Sequence, residues 1–207
     1  MSCFFYELYQ ERCNELELIM KQNGGGSNEA KKLRGALAVK LLKQEIDKYL
    51  VTKEKPIKVS ELNTYIAGSK YEYDLLLVKE DAQPYMDLVY NPEDVIAIIE
   101  SKVNGLYDIS KNTNSIAIAV NRALEINSDI KFGYITMGEN VPVNKYNRYG
   151  KPTVRHWDLT QEYLEKKIKG YNISYAVTLY QGKKLCDEGK DEEFYGFIEC
   201  LIKNDAK

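Results

Sequence analysis

The chain has 207 residues, which predicts about one domain with room for an appendage. A chain of this length hides roughly 70% of its unfolded surface, so it needs neither disulfides nor a structural metal to fold. Its 29 basic and 31 acidic residues leave a net charge of −2, which excludes a uniformly basic nucleic-acid coat and a polyacidic tail but not a local basic patch.

Residues 4–22 carry Phe5, Leu8, Tyr9, Leu16, Ile19 and Met20 near helical spacing, and Gly24-Gly25-Gly26-Ser27 interrupts the pattern. Residues 1–23 are therefore predicted as a helical arm and 24–207 as a single domain. A second helix starts at Ser27 or Asn28, either a good N-cap, and runs to about Leu50 with Leu33, Leu37, Leu41 and Leu42 as its apolar stripe. Glu29 stands at the head of that stripe.

After Pro56 the period falls to two. Segments 57–60 and 63–67 predict short strands, and Gly68-Ser69 a turn. Tyr71 to Lys79 predicts one strand with Glu72, Asp74, Leu76 and Val78 on a single face. A turn-rich loop over 80–93 leads to Val95–Lys102, whose continuous apolar run predicts a central strand buried on both faces. Gly105 ends it. A helix over about 108–127 turns Ile109, Ile116, Val120, Ala123 and Leu124 inward, and Lys131–Met137 is the next strand. Strand, helix, strand predicts a crossover and parallel pairing. A helix over about 158–168, a strand over Ile173–Tyr180 and a helix over 191–203 complete an α/β domain with a mixed sheet.

Cys3, Cys13, Cys186 and Cys200 form no CxxC pair, and His156 is the one histidine, so zinc-site spacing is absent. The cysteines are expected to be reduced thiols in the cytoplasm. The N-terminus lacks a basic stretch before its apolar residues and is not expected to be a signal peptide. Apolar runs of five residues, Val95–Ile99 and Ile116–Val120, fall far short of the roughly 20 that span a bilayer, so no membrane partner is expected.

Burying an unpaired charge costs several kcal/mol, so an acid inside an apolar strand calls for a reason. Asp74 interrupts YEYDLLLV, and Glu100 and Lys102 close VIAIIESK. Glu100 and Lys102 are two apart on a strand and emerge from one face. If the Asp74 strand is their neighbour, two carboxylates and an ammonium converge at one sheet edge. Such oxygens suit Mg²⁺, which keeps waters and substrate phosphates in its shell. The lysine can then orient the attacking water and stabilise charge in the transition state.

Asp74 followed by Glu100-Ser101-Lys102, in the pattern GSxxxYDLLLV…VIAIIESK, resembles the PD-(D/E)xK nuclease superfamily. Tyr73 stands where that pattern often has proline. Four ExK tripeptides occur, at Glu29, Glu100, Glu165 and Glu188, and only that at Glu100 ends an apolar strand. The resemblance spans residues 28–137. It implies a restriction-endonuclease-like three-layer core, a central mixed β-sheet flanked by helices, with an added N-terminal helix. It implies a Mg²⁺-dependent DNA endonuclease, with Mn²⁺ as a substitute, of restriction or phage-defence type. A repair or structure-specific nuclease, or an inactive nuclease-fold module that binds nucleic acid or protein, is the alternative. Asp74, Glu100 and the helical acid Glu29 would hold metal, and Lys102 would serve the water.

Glu29 also fits the rule that acids favour a helix's first turn. Glu72 reads as a further ligand or a solvated strand-end acid, and Glu45 and Asp47 as helix surface. Segment 141–157 lacks acids and interleaves Lys145, Arg148, Lys151 and Arg155 with Tyr146, Tyr149 and Trp157, which suits either DNA phosphate contact or a solvated loop. Lys31, Lys32, Arg34, Lys40 and Lys43 form a second basic face. Cutting both strands of a duplex is simplest with two sites, so a homodimer is expected as a possibility.

Overall fold

The computed structural model describes residues 4–22, 27–102, 105–136, 144–146, 152–154, 168–169, 171–179 and 190–203. Its centre is a five-stranded mixed sheet in the order β1 (Ile57–Val59), β4 (Leu75–Lys79), β6 (Val95–Lys102), β7 (Lys131–Thr136) and β10 (Tyr175–Thr178). The first three are antiparallel neighbours, and β6, β7 and β10 are parallel. The apolar run of β6 takes the middle position, as expected of a strand buried on both faces. Helix α3 (Gly105–Ile126) makes the crossover from β6 to β7.

Alternation along the strands divides the interior into two layers. Leu75, Leu77, Ala97, Ile99, Ile135 and Val177 pack against α2 (Ser27–Thr52) and the last helix, α4 (Lys190–Ile202). Leu76, Val78, Ile98, Phe132 and Tyr134 pack against Ile116, Val120 and Ala123 of α3. Each fully buried aliphatic side chain contributes about 1.5–3 kcal/mol, so these layers hold the sheet edge rigid. The register between β4 and β6 slips between Leu77 and Val78, so Val78 faces Val95 across a bulge and Ile96 lies between the paired residues. The extra residue flips the parity, which puts Val95 and Ile98 in the same layer.

Helix α1 (Phe4–Gln22) places Tyr9 and Cys13 in the α2 layer, while Leu18 and Ile19 are exposed. The apolar spacing that includes Ile19 thus does not bury it, and its expected place in the apolar pattern is corrected. So is that of Leu33: the buried stripe of α2 is Ala38, Val39, Leu41, Leu42, Ile46 and Leu50, and Leu33 is 41% exposed because the sheet is reached only further along the helix. The strand predicted over 71–79 is two strands. Glu72–Tyr73 (β3) pairs with β2 (Thr64–Ile66), which also pairs with β5 (Val89–Tyr90), forming a separate three-stranded sheet. Asn144–Tyr146 (β8) and Pro152–Val154 (β9) form an antiparallel pair. The helix predicted over 158–168 falls outside the described residues except at Ile168, which is buried. Among the described residues no helix is long and apolar enough to cross a membrane.

Candidate active site

Asp74 is the bend between β3 and β4. Its neighbours Tyr73 and Leu75 are both fully buried, but in opposite layers, so the alternation breaks at Asp74. Tyr73 is held on the α3 side by hydrogen bonds linking its hydroxyl to Ser69 Oγ (3.0 Å) and to the Ala119 carbonyl (3.4 Å). The break turns the Asp74 side chain across the sheet: Oδ2 accepts the Ser101 backbone N–H at 2.8 Å, closing the β4–β6 ladder with a carboxylate.

On β6, Glu100 and Lys102 leave the same face, as period two requires. Lys102 Nζ lies 3.1 Å from Glu100 Oε2 and 3.7 Å from Asp74 Oδ2, so one ammonium bridges both acids. Glu100 is buried, at 8% exposure, while Asp74 and Lys102 remain part-exposed. Burial, and then the adjacent Asp74 charge, push the Glu100 carboxyl up to about 7 against the opposing pull of Lys102.

Asp74, Glu100 and Lys102, predicted from strand ends 26 residues apart, therefore meet. Glu29 lies in the first turn of α2, and its side chain falls outside the described residues. Glu72 does not join the cluster: it is exposed and accepts a hydrogen bond from the Tyr65 hydroxyl at 2.8 Å, because β3 leaves the main sheet. This corrects its predicted common face with Asp74. Asp47 pairs with Lys43 at 2.8 Å, and Glu45 accepts the Tyr195 hydroxyl at 2.8 Å. Lys145 lies on β8, while Arg148, Lys151, Arg155 and His156 fall outside the described residues.

Among the described residues no group of three His, Cys, Asp or Glu side chains is spaced to hold a metal. Two carboxylates nonetheless fit Mg²⁺, which commonly takes one or two protein carboxylates and fills its shell with water and phosphate oxygens. Sequence reasoning missed three groups around Asp74: the Ser101 N–H, Ser60 and Thr64. Ser60 and Thr64 are completely buried hydroxyls at the two ends of a short turn, where such residues are common and carry no distinguishing pattern.

No family model matches the chain, and no curated protein matches it. The solved structures similar to it include two of NucC. One is NucC of P. aeruginosa ATCC27853 in its cAAA-bound form, at 9% identity and a TM-score of 0.56, covering 97% of this chain and 90% of that one. The other is NucC of E. coli MS115-1, also cAAA-bound, at 12% identity and a TM-score of 0.41, covering 66% of this chain and 64% of that one. At such identities the likeness of the first is one of fold. This chain has the predicted α/β architecture, a central mixed sheet flanked by helices, and shares it with the P. aeruginosa NucC structure.

Proposed function

We propose that the protein is a Mg²⁺-dependent DNA endonuclease of restriction or phage-defence type. The observation that carries this reading is the convergence of Asp74, Glu100 and Lys102 at one sheet end, with Lys102 Nζ 3.1 and 3.7 Å from the two acids. Asp74 and Glu100 would hold the metal, with Glu29 assisting from α2. Bound there, Mg²⁺ supplies charge neutralisation at the scissile phosphate and a lowered pKa for a bound water.

The chain's own residues do the rest. Asp74 keeps Oδ2 on the Ser101 N–H, which fixes the carboxylate that would help hold the ion. Lys102, attached to both acids, orients the attacking water and faces the negative charge that builds on the phosphate. The attacking water gives up a proton to solvent as its oxygen bonds to phosphorus, and the leaving sugar oxygen takes a proton from solvent as its bond to phosphorus breaks. Lys145, Arg148, Lys151 and Arg155 would contact the DNA backbone, and two copies would serve the two strands. Cys200 is a free thiol, and the reading carries with it a reducing, cytoplasmic setting.

The test is incubation with plasmid, single-stranded and branched DNA, and with RNA, in Mg²⁺, Mn²⁺ or EDTA. Because the NucC structures hold cAAA, each arm is run with and without it. Metal-dependent cleavage by the wild type that falls by about 10²–10³-fold in D74A and K102A is expected. Cleavage at the wild-type rate in either variant overturns the site, and metal-independent binding without cleavage supports a non-cutting module instead.

A further inference from the structure

Strand β1 stops at Val59, opposite Leu77 of β4. Continuing the antiparallel β1–β4 register, Ser60 comes opposite Leu76, and its N–H bonds the Leu76 carbonyl at 2.8 Å. The return bond does not go to the Ser60 carbonyl. Leu76 N–H instead donates to Ser60 Oγ at 2.9 Å, so a side chain closes the last rung and the main chain is free to leave the sheet. Ser60 Oγ also accepts from Thr64 Oγ1 at 3.1 Å and donates to the Glu61 carbonyl at 2.8 Å, which uses its full hydrogen-bonding capacity. Both hydroxyl residues are 0% exposed.

Between them, Asn63 adopts a left-handed conformation, φ 58°, and turns its N–H onto the Asp74 carbonyl at 3.4 Å. The turn 60–64 thus holds the chain at Asp74 and at Leu76, on both sides of the peptide that orients the acid. The other side of Asp74 is tied to β6 through its own carboxylate on Ser101 N–H. Short hydroxyl side chains suit this task, since they reach a backbone group without filling the space the strand needs.

We propose that Ser60 and Thr64 form a hydroxyl bracket that positions the Asp74 carboxylate at the end of β6. They are positioning residues, acting through Asp74, and the proposal rests on the reading of Asp74 and Glu100 as the metal-binding pair. Removing the Thr64 hydroxyl takes away one of the three hydrogen bonds that fix Ser60 Oγ, which loosens the Leu76 rung and lets the Asp74 carboxylate move off Ser101.

The test compares T64V, which keeps shape but loses the hydroxyl, with T64S, which keeps the hydroxyl, in the full chain. Amide hydrogen exchange at Ser101 is read in metal-free protein, with the amide of Val120 in α3 as the control for an intact core. T64V is expected to speed Ser101 exchange by about tenfold and leave Val120 unchanged, with T64S close to wild type. In plasmid cleavage, T64V is expected to raise the half-saturating Mg²⁺ concentration while the rate at saturating Mg²⁺ changes less. Unchanged Ser101 exchange in T64V, or an equal effect of T64S, overturns the bracket. If T64V loses its core protection, T64A is read in its place. Absence of cleavage by the wild type overturns the nuclease reading, while the Ser101 exchange still decides the bracket.

Discussion

Two glutamate–lysine pairs in this protein have opposite electrostatics. Glu100 meets Lys102 at 3.1 Å, and Glu199 of α4 meets Lys55 at 3.2 Å. Burial pushes both carboxyls upward. At Glu199 the Tyr49 hydroxyl, bonded at 2.8 Å, and then Lys55 and Lys53 overcome it, so the carboxyl is held below its usual range. At Glu100 the second-largest influence is another carboxylate, Asp74, and Lys102 cannot neutralise two acids, so the carboxyl is raised to about 7. One acid with several donors staples α4 to α2. Two acids with one ammonium leave unmet demand for positive charge, the condition for binding a cation.

The comparison breaks most visibly through activity. K102A and D74A are expected to lower the plasmid-cleavage rate by about 10²–10³-fold, the usual cost of removing one group that stabilises transition-state charge. E199Q, by contrast, is expected to leave the rate within about twofold, since a surface pair contributes only about 0–1 kcal/mol.

The pH dependence of stability separates the pairs by sign. The folded state raises the Glu100 carboxyl from 4.5 to about 7, so it prefers the protonated form. Its contribution is fully present below pH 4.5 and is lost as pH rises through 7, a change on the order of a few kcal/mol. Denaturant unfolding of metal-free protein should show this decline, and E100Q should flatten it. The lowered Glu199 carboxyl works in reverse: its contribution is present above the unfolded value and lost as pH falls, and E199Q should remove that acid limb. Added Mg²⁺ should stabilise the wild type more at pH 8 than at pH 5.5, because the ion takes the ionised acids.

Stapling of α4 can be stressed without touching the acids. A Cβ at Gly133 of β7 would come within 2.7 Å of Leu201 Cδ1 and Phe197 Cζ. G133A is expected to cost about 1–3 kcal/mol by overpacking, read as a lower unfolding midpoint. Its Mg²⁺-induced stabilisation should persist, since among the described residues α4 supplies no group to the Asp74–Glu100 pair. The smallest effect is expected from S101A. Ser101 Oγ is buried with no hydrogen-bond partner among the described residues, whereas the backbone N–H holds Asp74. S101A should therefore change stability by less than about 1 kcal/mol and leave cleavage intact, showing that the middle position of the tripeptide acts through its backbone.

Much of the candidate site was legible because period two is strict inside β6: Glu100 and Lys102 had to share a face once Val95–Lys102 was a strand. Asp74 was legible as an acid in an apolar run, but its setting was not. Period two carried through YEYDLLLV predicted a straight strand and placed Glu72 beside Asp74. The chain bends there because Tyr73 and Leu75 are anchored in different layers, and because β2, 64–66, draws Glu72–Tyr73 into another sheet. The partners of that bend, Ser60 and Ser101, lie 14 and 27 residues away, beyond any local pattern.

The sequence by itself determined the layered α/β class, the central place of β6, and the identity of the three converging residues, since each follows from side-chain period and from the cost of burying charge. The tertiary structure alone decided the break at Asp74, the exposure of Leu33 and Ile19, the bulge at Ile96 and the elevated Glu100 carboxyl. These depend on which surfaces meet across the sheet and on how many charges share one desolvated end, and neither quantity is local in the chain.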